Sequence, residues 1–276
     1  MGLTVEQIEY AIQHYRNKGL VGKVAHLGQN IYYLPTPIED NEPILISSGV
    51  LSFYEARDFR IYLLADGVLQ TSVMQKGTVL IDAYKICDVA DNRFVLVIGD
   101  RRLYIYDVIN GSVLLSRDFK DDVTDACFHD YEGLEYYVIH GGVFEIAGKR
   151  IPKERYSVVM QDKLIKIGMG TIYEHGIAIG GTYFDIGRTA KKTIQYMAGD
   201  DELAYHGTIA LIDGDLYGFY AVGDDCGISY FPHQKYMVDI MYAFDAGAYI
   251  ALSDDDELHL LELRADRGVY EEINVD

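Results

Sequence analysis

Four acidic groupings stand out along the chain: Asp200-Asp201-Glu202, Asp213 with Asp215, Asp224-Asp225, and Asp254-Asp255-Asp256-Glu257. Two carboxylates held across a cleft can do general acid–base work on a glycosidic bond, and several carboxylate oxygens together can hold Ca2+. Spacing alone supports neither chemistry. Residues 254–257 lack the alternating ligands and the glycine of a twelve-residue calcium loop. Acids at hairpin tips are also the ordinary turn chemistry of Asp. Histidine offers a second possibility, through the pairs His140-Gly141, His175-Gly176 and His206-Gly207. At equivalent positions of a repeat, three imidazoles would converge and could bind zinc.

Nucleophile and nucleotide motifs are missing. There is no Gly-x-Ser-x-Gly and no Gly-x-x-x-x-Gly-Lys-Ser/Thr, and Gly168-Met169-Gly170 has no helix signal after it. Cys127 lies in an apolar run beside Phe128 and reads as a structural thiol. The sequence therefore points to no catalytic residue, no cofactor and no metal ligand set, and favours a non-enzymatic role.

Composition narrows the classes further. In 276 residues, 24 Lys and Arg face 43 Asp and Glu, a formal charge of −19. That balance repels phosphate and anionic lipid, so general nucleic-acid binding and membrane-surface binding are not expected. With 49% hydrophobic and 24% charged residues, the chain is too apolar for a solvated acidic tail. No apolar run reaches the roughly 18–20 residues of a membrane span, and Met1–Tyr10 resembles neither a signal peptide nor a lipidation motif. Cys87, Cys127 and Cys226 are odd in number and widely spaced, as expected of free thiols in the reducing cytoplasm.

The elements that must position these groups can be read from periodicity. Thr4-Val5-Glu6-Gln7 is a capping box, and Val5, Ile8, Ile12 and Tyr15 follow at helical spacing before Gly19. Residues 1–21 are thus expected to form an amphipathic N-terminal helix, which caps its own domain or docks on a neighbour. From residue 22 to 276, short β-branched and aromatic runs alternate with Gly, Asp and Asn turns, the pattern of a single all-β domain. Twenty-four tyrosines and no tryptophan suit half-buried strands.

A repeat is visible. An apolar or aromatic residue followed by an acid marks the expected end of a third strand at Tyr54-Glu55, Tyr106-Asp107, Phe144-Glu145, Phe184-Asp185 and Leu261-Glu262, with Tyr220-Ala221 in the remaining slot. Successive second residues lie 52, 38, 40, 36 and 41 apart. An interval near 40 accommodates four short strands, one propeller blade. The 52 is then one blade plus an insertion, placed at 65–76. Six blades follow (22–75, 78–119, 123–160, 163–197, 203–231 and 236–275), and seven stays open because 22–42 could form a separate blade.

Leu103-Tyr-Ile-Tyr-Asp-Val-Ile-Asn-Gly-Ser-Val-Leu-Leu115 followed by Asp122-Val-Thr-Asp-Ala-Cys-Phe128 resembles a WD-repeat unit. Tyr106-Asp107 stands where that family has its Trp-Asp pair. The resemblance is good over 88–128, fair over 236–275 and weak elsewhere; the Gly-His pair that opens such repeats is absent before Val123. It implies a propeller and, by analogy, a protein-interaction scaffold.

On this register His140, His175 and His206 precede their marks by 5, 10 and 15 residues, so no convergence on a metal is expected. The charges sort more sharply. Second-to-third and fourth-to-first connections share one end of a four-stranded sheet, and they receive Asp100, Asp118, Asp121, Asp122, Asp162, Asp200, Asp201, Glu202, Asp213, Asp215, Asp254, Asp255, Asp256 and Glu257, against Arg101, Arg102, Lys120, Lys163 and Lys235. Lys149, Arg150, Lys153, Arg155, Arg188, Lys191, Lys192, Arg264 and Arg267 are assigned to the third-to-fourth connections opposite, beside Asp224, Asp225 and Asp266. The expected function is a scaffold propeller whose acidic face recruits a basic protein partner. Two alternatives stand beside it: a glycan-binding or hydrolytic propeller using carboxylates at its axial mouth, and a structural subunit of a larger assembly.

Overall fold

The N-terminal helix, Val5–Asn17, starts at its capping box: Gln7 N–H donates to Thr4 Oγ1 at 3.3 Å, and Thr4 N–H donates to Gln7 Oε1 at 2.9 Å. It stops at Lys18-Gly19, where Gly19 takes a φ of +82° that only glycine adopts without strain. Val5, Ile8 and Ile12 are buried on one face. Polar contacts surround that stripe. Glu9 pairs with Arg60 at 3.0 Å and accepts from the Tyr62 hydroxyl at 2.5 Å, while Tyr15 stacks on Tyr33 with ring centroids 5.7 Å apart. The helix is seated on strands of its own chain.

The computed structural model describes residues 2–74, 76–130, 134–168, 170–198, 205–222, 225–231, 235–243, 248–264 and 269–272. Among them are seven antiparallel sheets in which strands lie in chain order. The first, 22–48, has three strands. Six more have four each: 50–79, 83–118, 123–150, 164–185, 192–231 and 237–272. Seven, the count the sequence leaves open beside six, makes this an all-β propeller with one helix.

The strands depart from the expected blade register at two places. Residues 22–75 hold two sheets, because Val50–Glu55 is the first strand of the second sheet and Val68–Thr71 its third. The stretch 65–76 is therefore blade, and the interval of 52 spans no insertion. Phe184-Asp185 lies on the fourth strand of the fifth sheet, Thr182–Asp185, and Lys192–Ala198 opens the sixth. The mark misleads at these two places because any strand that runs into an Asp or Glu turn can end on an aromatic–acid pair. At 106–107, 144–145, 220–221 and 261–262 it does fall on third strands.

The chain divides into two compact units. Unit 1 comprises Met1–Leu20, Val24–Tyr33 and Leu45–Tyr156; unit 2 comprises Val21–Lys23, Leu34–Ile44 and Ser157–Asp276. In unit 1 the strand period of two builds the core directly. Val95, Val97, Tyr104 and Tyr106 of the third sheet pack with Ile61, Leu63 and Leu69 of the second, whereas Leu96, Ile98, Leu103 and Ile105 pack with Val123, Ala126 and Val138 of the fourth. Strand Phe94–Gly99 is buried on both faces for this reason, while the edge strand Ser112–Asp118 is largely exposed. Unit 2 repeats the scheme: Ile209 and Leu211 join Ile240 and Tyr249, and Ala210 and Ile212 join Ile172 and Ile177. Among the described residues no helix is long and apolar enough to cross a membrane.

Candidate functional site

The third sheet in unit 1 places acids around a cavity. Arg102 pairs in register with both Gly99 and Asp118, and Ala83 with Gly99, so residues 82–83, 99–102 and 118–122 meet at one end of the sheet. There Asp82, Tyr84, Asp100, Arg101, Asp122, Val123 and Thr124 line a cavity of about 560 Å3. Its wall is fixed by backbone. Val123 N–H donates to the Asp100 carbonyl at 2.7 Å, and Gly141 N–H to the Asp122 carbonyl at 3.0 Å. Gly99 is required, since a Cβ there would stand 2.5 Å from the Asp82 carbonyl oxygen. The Tyr84 hydroxyl donates to the Val123 carbonyl at 2.7 Å; burial first, then the charges of Cys87, Asp100, Asp125 and Asp122, raise its pKa and keep it a donor. Three carboxylates thus face one guanidinium, and Arg101 pairs with Asp122 at 3.2 Å.

Of the acids singled out in the sequence, Asp100 and Asp122 line this cavity, and Asp121 lies in the same connection beside Gly141. Asp82 and Tyr84 carry no motif and are found only from the register. In unit 2, Asp213 and Asp215 flank Gly214 in the second-to-third turn of the sixth sheet, and Asp254 to Glu257 form the corresponding turn of the seventh. Asp200, Asp201 and Glu202 lie outside the described residues.

Several of these acids already have cations. Arg188 pairs with Asp213 at 2.9 Å, and Lys235 with Asp255 and with Glu257, the latter at 3.3 Å. The expected sorting of charge fails at Arg188, Lys191, Lys153 and Arg155. All four lie in fourth-to-first connections (151–163 and 186–191), the class that carries the acids, because the fourth sheet closes at 150 and the fifth at 185. Lys192 sits on the first strand of the sixth sheet and pairs with Asp239 at 2.7 Å. Lys149 and Arg150 do follow a third-to-fourth turn, at the start of the fourth strand. Arg264 closes a third strand, and Arg267 lies outside the described residues.

Other polar groups are structural staples. Asp107, fully buried at the end of its third strand, accepts from Arg93 Nε and Nη2 at 3.1 and 2.7 Å, from Ile109 N–H at 3.0 Å and from Asn110 Nδ2 at 2.7 Å. It thereby ties the turn that Asn110-Gly111 completes. Ser253, Asp255 and His259 have the composition of a hydrolytic triad but not its order. The buried Ser253 hydroxyl sits between them, donating to Asp255 Oδ1 at 2.5 Å with His259 Nε2 3.0 Å away. In a triad the imidazole is the bridging group, held by the acid so that it can take the serine proton. Here the serine hydroxyl donates directly to the acid, and the trio ties the turn between the second and third strands.

Cys127 is likewise fixed. Its Sγ donates to Asp88 Oδ2 at 3.0 Å, and burial, followed by that hydrogen bond, pushes the thiol up to about 12. A thiol with so little thiolate at neutral pH is unreactive. Peptide mapping after brief maleimide treatment of the native protein should find the exposed Cys226 modified well ahead of Cys127. Equal rates at the two would mean that Cys127 is not held as described.

No family model and no curated protein matches the sequence. Solved structures do. The β-propeller domain of Cps50 (Swd1) from Myceliophteria thermophila matches with a TM-score of 0.54 at 9% identity, over 78% of this chain and 83% of that one. BBS1N, solved in complex with ARL6DN, matches with a TM-score of 0.56 at 8% identity, over 90% of this chain and 88% of its own. The chain is a seven-bladed β-propeller. At such identities the likeness shows the fold alone, and the WD-repeat-like reading of residues 88–128 stands at that level.

Proposed function

We propose that this propeller is a non-enzymatic scaffold, working in the cytoplasm, that binds a basic protein partner through its acidic connections. The observation that carries the reading is the cavity at Asp82, Asp100 and Asp122, where a pocket large enough for a cationic side chain holds three carboxylates and one arginine. A lysine or arginine entering it would meet charge-assisted acceptors on a backbone held in place by the sheet register. The formal charge of −19 adds long-range attraction for a basic surface. Asp100, Asp121 and Asp122 form the proposed surface in unit 1; in unit 2, Asp213, Asp215 and Asp254 to Glu257 are proposed as further acidic contacts, with Arg188 and Lys235 exchanging partners on binding. The complex of BBS1N with ARL6DN supports the general use of this fold in recognition.

The test uses a fluorescent arginine-rich peptide and its anisotropy with the full chain. Binding should weaken steeply with salt, and the triple substitution Asp82→Asn, Asp100→Asn, Asp122→Asn should weaken it by about tenfold or more, the scale of one lost charge-assisted hydrogen bond. Asp40→Asn with Glu42→Gln and Asp58→Asn, three exposed acids outside the proposed surface, controls for net charge. Equal losses in the two variants would mean diffuse attraction and would remove the cavity from the proposal.

A further inference from the structure

Unit 2 contains a cluster unrelated to the acidic cavity. Asp162 lies in the connection ahead of strand Leu164–Lys166, and Glu174-His175 forms the turn between Thr171–Tyr173 and Gly176–Ile179. One ligand atom from each of Asp162, Glu174 and His175 lies within 4.8 Å of the other two. We propose that these three residues form a binding site for a divalent transition-metal ion of the zinc type.

The first two ligands are held in advance. Asp162 is buried, and its carboxylate is gripped on both oxygens: Oδ1 accepts from Lys163 N–H at 2.8 Å, while Oδ2 accepts from His175 N–H at 3.1 Å and from the Tyr183 hydroxyl at 2.7 Å. His175 Nδ1 stands 2.9 Å from Asp162 Oδ1, so acid and ring already converge on a shared proton. A metal entering there takes the place of that proton, which passes to water. Tyr183 and the two backbone amides then serve as outer partners that orient the ligating carboxylate. Glu174 is exposed and free to swing in as the third ligand, leaving the fourth position to water. Bonds of about 2 Å place tetrahedral donors roughly 3.3 Å apart, a modest closure from the present spacing.

Chemistry selects the ion. One imidazole and two carboxylates suit Zn2+, Co2+ or Ni2+ better than Ca2+, which prefers an all-oxygen shell. The comparable trio Asp255, Glu257 and His259 is a poorer candidate. Lys235 already lies against two of its carboxylates, and His259 is engaged with Ser253. Of His140, His175 and His206, His175 is met by two acids, which its own sheet brings to it.

Isothermal titration of the metal-free full chain with zinc chloride tests the site. One equivalent should bind, and zinc should raise the thermal midpoint of the wild type. His175→Ala and Glu174→Gln, both at exposed side chains, should keep the wild-type circular dichroism and weaken binding by at least about tenfold, the loss typical of a removed metal-site partner. Glu257→Gln should leave affinity unchanged. The proposal is overturned if no zinc binds, if both His175→Ala and Glu174→Gln retain wild-type affinity, or if only Glu257→Gln loses it.

Discussion

Asp107→Asn is expected to destabilise the protein by about 2–4 kcal/mol at pH 7, with the difference from wild type shrinking as the solution is acidified. The side chain keeps its shape but exchanges one acceptor oxygen for an NH2 group, in a pocket where Arg93, Ile109 and Asn110 all donate. Losing charge-assisted bonds and leaving buried donors unmatched produces effects of this size. Hydrogen bonding to Arg93, against the opposing effect of burial and helped by Asn110 and Ile109, lowers the Asp107 carboxyl to about 2. A carboxyl lowered in the folded state stabilises fully above its unfolded pKa of about 3.8, and that stability is lost as pH falls through about 2. The gap between wild type and variant should therefore be constant from pH 7 to about 5 and begin to close below about 4. Urea titrations at pH 7, 5 and 3 measure it. An unchanged gap at pH 3 would show that the loss comes from shape and not from charge.

Asp107 is also where the sequence was most legible. An aromatic–acid pair, a short turn and a glycine at a fixed distance are all local, and Gly111 takes the positive φ its type permits. The capping box was legible on the same ground: Thr4 and Gln7 are three residues apart and need no tertiary information. The number of blades is less legible, because it depends on which strand of a sheet carries the mark. Tyr54-Glu55 and Phe184-Asp185 look like Tyr106-Asp107 but sit on a first and a fourth strand. Contacts set by register between distant residues left no local trace. Asp82 and Asp122 meet because residues 83 and 118 both align with residues 99–102, and Asp162 reaches His175 across thirteen positions. Neither the cavity nor the cluster in unit 2 has a motif that a linear reading could find.

The helix supplies the second large expected effect. Replacing Ile8 and Ile12 together by alanine should lower the thermal midpoint by on the order of 10 °C or more while leaving the mass in solution unchanged. Each isoleucine is essentially fully buried, and truncating a buried isoleucine to alanine typically costs about 2–5 kcal/mol. The two lie one turn apart on the same face, so the surrounding packing relaxes jointly and the losses need not add. The prediction separates the two roles open to an amphipathic helix. A helix that docked on another subunit would hold its apolar stripe out to that subunit, and alanines there would reduce the mass while sparing the stability of the chain. In this chain Ile8 and Ile12 are already covered, Glu9 is committed to Arg60 and Tyr62, and Tyr15 is stacked on Tyr33. Dissociating the helix would uncover its apolar face and strip Arg60 and Tyr62 of the Glu9 carboxylate. A changed mass with an unchanged midpoint would reverse this assignment and make the helix an assembly handle.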